Sequence, residues 1–205
     1  DYAVAKSIDE YQQMYQPYLP GEFREAGRPT RNTPLYGMFK EQGAIYGDIF
    51  GWERAKWFAS EGVAEQYGFR RSNWFATVGE ECRAVREKVG LMDLSSFAKY
   101  EITGPHAKAL LDRLCANRIP ETNGKIILTQ MLTHLGGIEC EATVARLSAE
   151  HYYVLSGAVA ELHDFDWLVQ HIEPGEDVTV TDVTAELAML AVSGPRARDV
   201  LAPLT

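Results

Sequence analysis

KIILTQMLTHLGGIECEATVARL, residues 125–147, reads as one β-hairpin: an apolar run, a Gly136-Gly137 turn, then a second run carrying Glu139 and Glu141. Side chains alternate across a strand. Glu139, Glu141, Thr143 and Ala145 are therefore expected on one side, and Ile138, Cys140, Ala142 and Val144 on the other. The apolar side suits a core. The other side carries two acids and a hydroxyl in a strand, where carboxylates are disfavoured. It is either the solvated outer face of an antiparallel sheet or a rigid strand presenting a carboxylate to a ligand, and pattern alone favours the former.

Working outward, the chain becomes regular from Gly79. The pattern predicts a helix over 80–89 closed by Gly90, a strand over 98–103 and a helix over 105–116. After the hairpin come a strand over 152–156, a helix over 159–171, strands over 178–184 and 187–193, and a helix starting at Pro195. EITGPHAKALL at 101–111 matches AVSGPRARDVL at 191–201: a strand ending in Thr or Ser, a Gly-Pro corner, then an amphipathic helix. The hydroxyl is expected to cap each helix. This repeat predicts an α+β fold, an antiparallel or mixed sheet with helices on one face, built from pseudo-duplicated strand–Gly-Pro–helix units.

Residues 1–72 are rich in turn formers and aromatics. Pro17, Pro20, Gly21, Gly27 and Pro29 break the early part into loops, and Thr33-Pro34 predicts a helix running to about Gly43. The cluster FGWERAKWF at 50–58 reads first as an interface or core with snorkelling cations. Its functional alternative is the wall of an aromatic ligand site or a docking surface for a missing N-terminal part, and docking is favoured because so many rings are costly to leave in water. The chain starts at Asp1 without Met and stops at LAPLT, inside a helical pattern, so it is expected to be a piece of a longer polypeptide.

Composition narrows the function. A chain of 205 residues with 46% hydrophobic content can bury a core. A net charge of −9 argues against a nucleic-acid partner, and no apolar run reaches the length of a membrane span. Cys82, Cys115 and Cys140 lack CxxC spacing and read as reduced thiols. There is no dinucleotide or P-loop glycine pattern, and the five histidines offer no metal set. His163 and His171 read as surface residues, and His134 with Cys140 lacks a third ligand.

Four stretches carry a family likeness. GAIYGDIFGWERAKWF at 43–58 resembles the sequence that follows the flavin domain in dimethylglycine and sarcosine dehydrogenases. VGLMDLSSFAKYEITGPHAKALLDRL at 89–114, TQMLTHLGGIECEATVARL at 129–147 and YYVLSGAVAELHDFDWL at 152–168 resemble the folate-binding domain those enzymes share with the glycine-cleavage T-protein, an aminomethyltransferase. The resemblance implies that 1–72 is the tail of the oxidoreductase part plus a connection, and 73–205 the first portion of the folate domain. It also implies that tetrahydrofolate captures a one-carbon unit, oxidised by FAD bound elsewhere in the protein, as 5,10-methylene-tetrahydrofolate. The family's turn motif ends in an acid beside the folate nitrogens, a position that falls on Glu141; Cys140 stands where another acid often precedes it. Glu141 is thus the implied catalytic residue, one methylene longer than aspartate. Leu128, Glu141, Thr143 and Ser156 are the implied folate contacts. Implied partners are folate, a small N-methyl amino acid and the rest of the same protein, in a bacterial cytoplasm or a mitochondrial matrix. Two alternatives remain: a non-catalytic regulator resembling the pyruvate dehydrogenase phosphatase regulatory protein, and another folate-dependent demethylase acting on a sulfonium or methoxy donor.

Overall fold

The computed structural model describes residues 2–204. They form two compact units: Ser96–Ala188, and the chain up to Ser95 joined by the stretch from Met189 onward.

The Ser96–Ala188 unit is built on the predicted hairpin. Strands β6 (Ile126–Leu132) and β7 (Ile138–Ser148) pair antiparallel around Gly136, whose φ of 82° suits a residue without Cβ. Strands β8 (His151–Ser156), β5 (Ala98–Thr103) and β9 (Thr179–Asp182) complete a sheet of order β6-β7-β8-β5-β9 with every pair antiparallel. Helix α4 (Ala107–Leu114) buries Ala107, Leu110, Leu111 and Leu114, the spacing of one helical face. Helix α5 (Glu161–Gln170) buries Leu168 and Asp164. With them pack Ala98, Tyr100, Ile102, Cys140, Ala142, Val144, Tyr152 and Val154. Alternation puts all these strand residues on one side of the sheet, so both helices cover that side and the α+β reading holds.

The other unit contains three helices before its second sheet: α1 (Tyr2–Gln12), α2 (Tyr36–Glu41) and α3 (Phe75–Glu87). Strand β1 (Arg31–Asn32) runs parallel to β3 (Trp52–Phe58), which pairs antiparallel with β2 (Ala44–Ile49). The docking surface expected at 50–58 is therefore mostly a hairpin strand, with Trp52 and Trp57 only 5% and 3% exposed. Its turn hides from the sequence: Phe50 and Gly51 both have positive φ, 52° and 81°, where Asn-Gly is the usual pair. Arg28 closes a bidentate ion pair on buried Glu53, Nε to Oε1 at 2.8 Å and Nη2 to Oε2 at 2.6 Å.

Strand β4 (Gly90–Asp93) pairs with β10 (Leu190–Ser193), followed by α6 (Ala197–Leu201). Gly90 is thus the first residue of a strand rather than a helix C-cap, and α3 begins at Phe75, ahead of the expected start.

The internal repeat is deeper than its sequence. Leu190, Ala191, Val192 and Ser193 face Asp93, Met92, Leu91 and Gly90, in the same register in which Tyr100, Glu101, Ile102 and Thr103 face Asp182, Thr181, Val180 and Thr179. Each copy is a strand, a turn, a second strand, Gly-Pro and a helix. The first strands are exchanged: β4 of the first copy pairs with β10 of the second, and β9 of the second with β5 of the first. The expected hydroxyl caps are absent, since the N-cap residues are His106 and Arg196 and neither makes a side-chain cap bond. Close backbone approach does the work instead. Gly104 (φ 120°) and Gly194 (φ 126°) leave room for the carbonyls of Asp177 and Lys88, which accept the N–H of His106 at 3.3 Å and of Arg196 at 2.9 Å. Thr33 likewise offers its backbone oxygen to Tyr36 N–H, not a side-chain cap.

Candidate functional site

The hairpin places Glu141 on the sheet side opposite α4 and α5, because it alternates with buried Cys140 and Ala142. Its carboxylate is exposed and makes no hydrogen bond or ion pair among the described residues. Gln130 lies directly across on β6, so an amide sits beside the acid. The next row across the sheet is Leu128, Thr143, Leu155 and Lys99. Leu128 is 58% exposed and Thr143 half-buried, giving Glu141 an apolar and hydroxyl-bearing neighbourhood. Lys99 is fully buried, its Nζ donating to the Phe97 carbonyl at 2.7 Å.

Ser156 is not in this group. It pairs with Ala98 on the helix-covered side and is only 4% exposed, with its hydroxyl beside that of Tyr100. Leu128, Glu141 and Thr143 are brought together; Ser156 lies on the opposite side because it is one residue out of phase with Leu155.

The two glutamates part company for a local reason. Met131 pairs with Cys140 and Leu132 with Ile138, leaving Glu139 as the extra residue of a β-bulge. Bulges re-aim side chains, and Glu139 Oε1 meets His163 Nε2 of α5 at 2.8 Å. The other ring nitrogen, Nδ1, lies 2.9 Å from Asp164 Oδ1. Asp164 and then Glu139 raise the imidazole's pKa above its ordinary value. The second oxygen of buried Asp164 has no partner. Sequence reading missed this cluster, because a helix and a bulge distant in the chain meet there without any spacing pattern.

Burial pushes the Cys140 thiol up to about 12 and the Cys115 thiol up to about 11, which disfavours the thiolate at both. His134 is exposed on the turn while Cys140 is buried in the core. Among the described residues, no group of three His, Cys, Asp or Glu is placed to hold a metal ion, and no helix is long and apolar enough to cross a membrane. In the other unit a cavity of about 630 Å³ is lined by Phe39, Tyr46, Trp57 and Phe58 with Glu53 and Asp93.

A family described as the GCVT N-terminal domain matches residues 35–205. The chain belongs to the GCVT N-terminal domain family. Its fold is that of glycine cleavage system aminomethyltransferase T from Bartonella henselae, with a TM-score of 0.67 at 22% identity over 85% of this chain and 43% of that one. Among curated relatives, mitochondrial dimethylglycine dehydrogenase of Rattus norvegicus is 40% identical over 100% of this chain and 24% of its own length. The mitochondrial pyruvate dehydrogenase phosphatase regulatory subunit of Mus musculus is 32% identical over 94% of this chain and 23% of its own. The GCVT chain therefore spans about a quarter of the length of these relatives.

Proposed function

We propose that this chain is the tetrahydrofolate-binding part of a larger FAD-dependent N-methyl amino acid dehydrogenase of the dimethylglycine and sarcosine type. The observation that carries this reading is Glu141: an exposed carboxylate, without a protein partner among the described residues, held on a rigid paired strand beside exposed Leu128.

These residues fit a folate. The open lone pairs of Glu141 suit amine nitrogens, Leu128 offers apolar contact, and Thr143 and Gln130 offer hydrogen-bonding groups. When bound, tetrahydrofolate supplies the nitrogens that take up the one-carbon unit. Glu141 holds or moves a proton at those nitrogens and offsets the positive charge that develops there. Its pairing to Gln130 across the sheet fixes its origin, and the longer glutamate arm sets how far the carboxylate reaches. FAD and the N-methyl substrate belong to other parts of the larger protein. The free thiols suit a bacterial cytoplasm or a mitochondrial matrix.

A second reading, a non-catalytic regulatory subunit, is favoured by the likeness to the phosphatase regulator and by Cys140, an inert buried thiol, in place of a second acid. Anaerobic addition of dimethylglycine or sarcosine to the full-length protein separates the two. Flavin reduction followed by folate-dependent formation of the methylene adduct supports the dehydrogenase. A protein that shows neither reduction nor tetrahydrofolate binding overturns the dehydrogenase reading.

A further inference from the structure

We propose that His163 is a positioning residue for the Glu141 carboxylate, clamping the bulged start of β7 to helix α5 through both of its ring nitrogens. This inference rests on the folate reading above.

The geometry is specific. His163 Nε2 reaches Glu139 Oε1 at 2.8 Å and His163 Nδ1 reaches Asp164 Oδ1 at 2.9 Å, so the ring spans two carboxylates and, when protonated, donates to both. The anchors differ in kind. Asp164 is 2% exposed, in the core layer beneath the sheet, with its other oxygen unpartnered, so the His163 ring is the side chain that satisfies this buried carboxylate. Glu139 is the extra residue of the bulge, the point where the β6–β7 register is weakest. Glu141 follows one pleat repeat later, about 7 Å along the strand. Pinning Glu139 therefore fixes the pleat and direction from which Glu141 is presented. The charged groups facing the ring among the described residues are Glu139 from β7 and Asp164 from α5 itself.

The clamp has a sign. Its carboxylates raise the imidazole's pKa, so the doubly donating form is complete below the ordinary value and is lost as pH rises through the raised one. With the proton gone, only one ring nitrogen still donates, and the bulge is held from one side.

The test is tetrahydrofolate affinity of the full-length protein from about pH 6 to about pH 9, in the unaltered protein, His163→Gln and Glu139→Gln, with flavin reduction by the N-methyl substrate as control. The unaltered protein should bind less tightly as pH rises. Both variants should bind roughly tenfold more weakly at the acid end, with a flat profile, the loss appearing in KM for folate while flavin reduction is unchanged. Glu139→Gln keeps the side chain's shape, so it gives the same reading should His163→Gln not fold. Variants that keep the parent affinity and pH slope overturn the positioning role and leave the folate reading intact. An unaltered protein that binds no tetrahydrofolate at any pH overturns both.

Discussion

Asp93 and Asp182 hold the same place in two copies of one turn. Asp93 Oδ1 accepts the N–H of Ser95 at 2.9 Å, and Asp182 Oδ1 accepts the N–H of Thr184 at 2.8 Å. The hydroxyls of those partners then cross to the exchanged strand: Ser95 Oγ accepts from Met189 N at 3.1 Å and Thr184 Oγ1 from Lys99 N at 3.0 Å. Asp93→Ala and Asp182→Ala should each lower stability by about 1 kcal/mol, with Asn costing less because its carbonyl accepts the same bond. The midpoint of urea unfolding reads this directly.

Glycine substitutions should split by backbone approach. A Cβ on Gly104 would lie 2.3 Å from the Asp177 carbonyl, and one on Gly194 would lie 2.6 Å from that of Lys88. Alanine at either site should cost roughly 3 kcal/mol or more, since rigid backbone must move. Gly136 has a positive φ but nothing within 4 Å, so Gly136→Ala should cost only about 1 kcal/mol. Thermal unfolding of the three variants checks the ranking.

Arg28→Ala should destabilise by about 3–5 kcal/mol, because it leaves the buried Glu53 carboxylate without its cation. Replacing both partners with apolar residues of similar size should recover much of that loss. A double-mutant cycle on unfolding free energies measures the difference.

Thiol labelling of the native protein near neutral pH should find Cys82 first. It is exposed, whereas burial raises both Cys115 and Cys140 far above the labelling pH. Mass spectrometry after brief alkylation gives the answer, and rapid modification of Cys140 would show that its strand opens readily.

Glu141→Ala should cut folate-coupled product formation by about 10²-fold while leaving flavin reduction largely intact. Glu141→Asp should restore part of it. Equal loss of both steps would mark Glu141 as structural.

Much of the Ser96–Ala188 unit was legible because its strands alternate cleanly. Residues 126–132 and 138–148 had only one consistent pairing around Gly136-Gly137. The β2–β3 hairpin was not, because aromatic residues occur on both of its sides and Phe50 occupies a turn position that normally announces itself with Asn or Gly. The Gly-Pro corners were visible as a repeat, yet their reason lies in the carbonyls of Lys88 and Asp177, which no local pattern reveals. The wider repeat was there to be read: KVGLMDLS at 88–95 and DVTVTDVT at 177–184 share Val, Asp and a hydroxyl at matching places. For the candidate site, alternation put Glu141, Leu128 and Thr143 together but could not foresee the bulge that turns Glu139 towards His163.

The exchanged first strands also govern how such a chain must fold. Met189 bonds to Ser95 and Lys99 to Thr184 across separations of 94 and 85 residues, so neither two-stranded pairing can form until nearly the whole repeat has been synthesised. Closing loops of that length is slow compared with helix or hairpin formation. Until β10 is available, β4 lacks the strand it pairs with here, and an unpaired edge of that kind is open to misassembly.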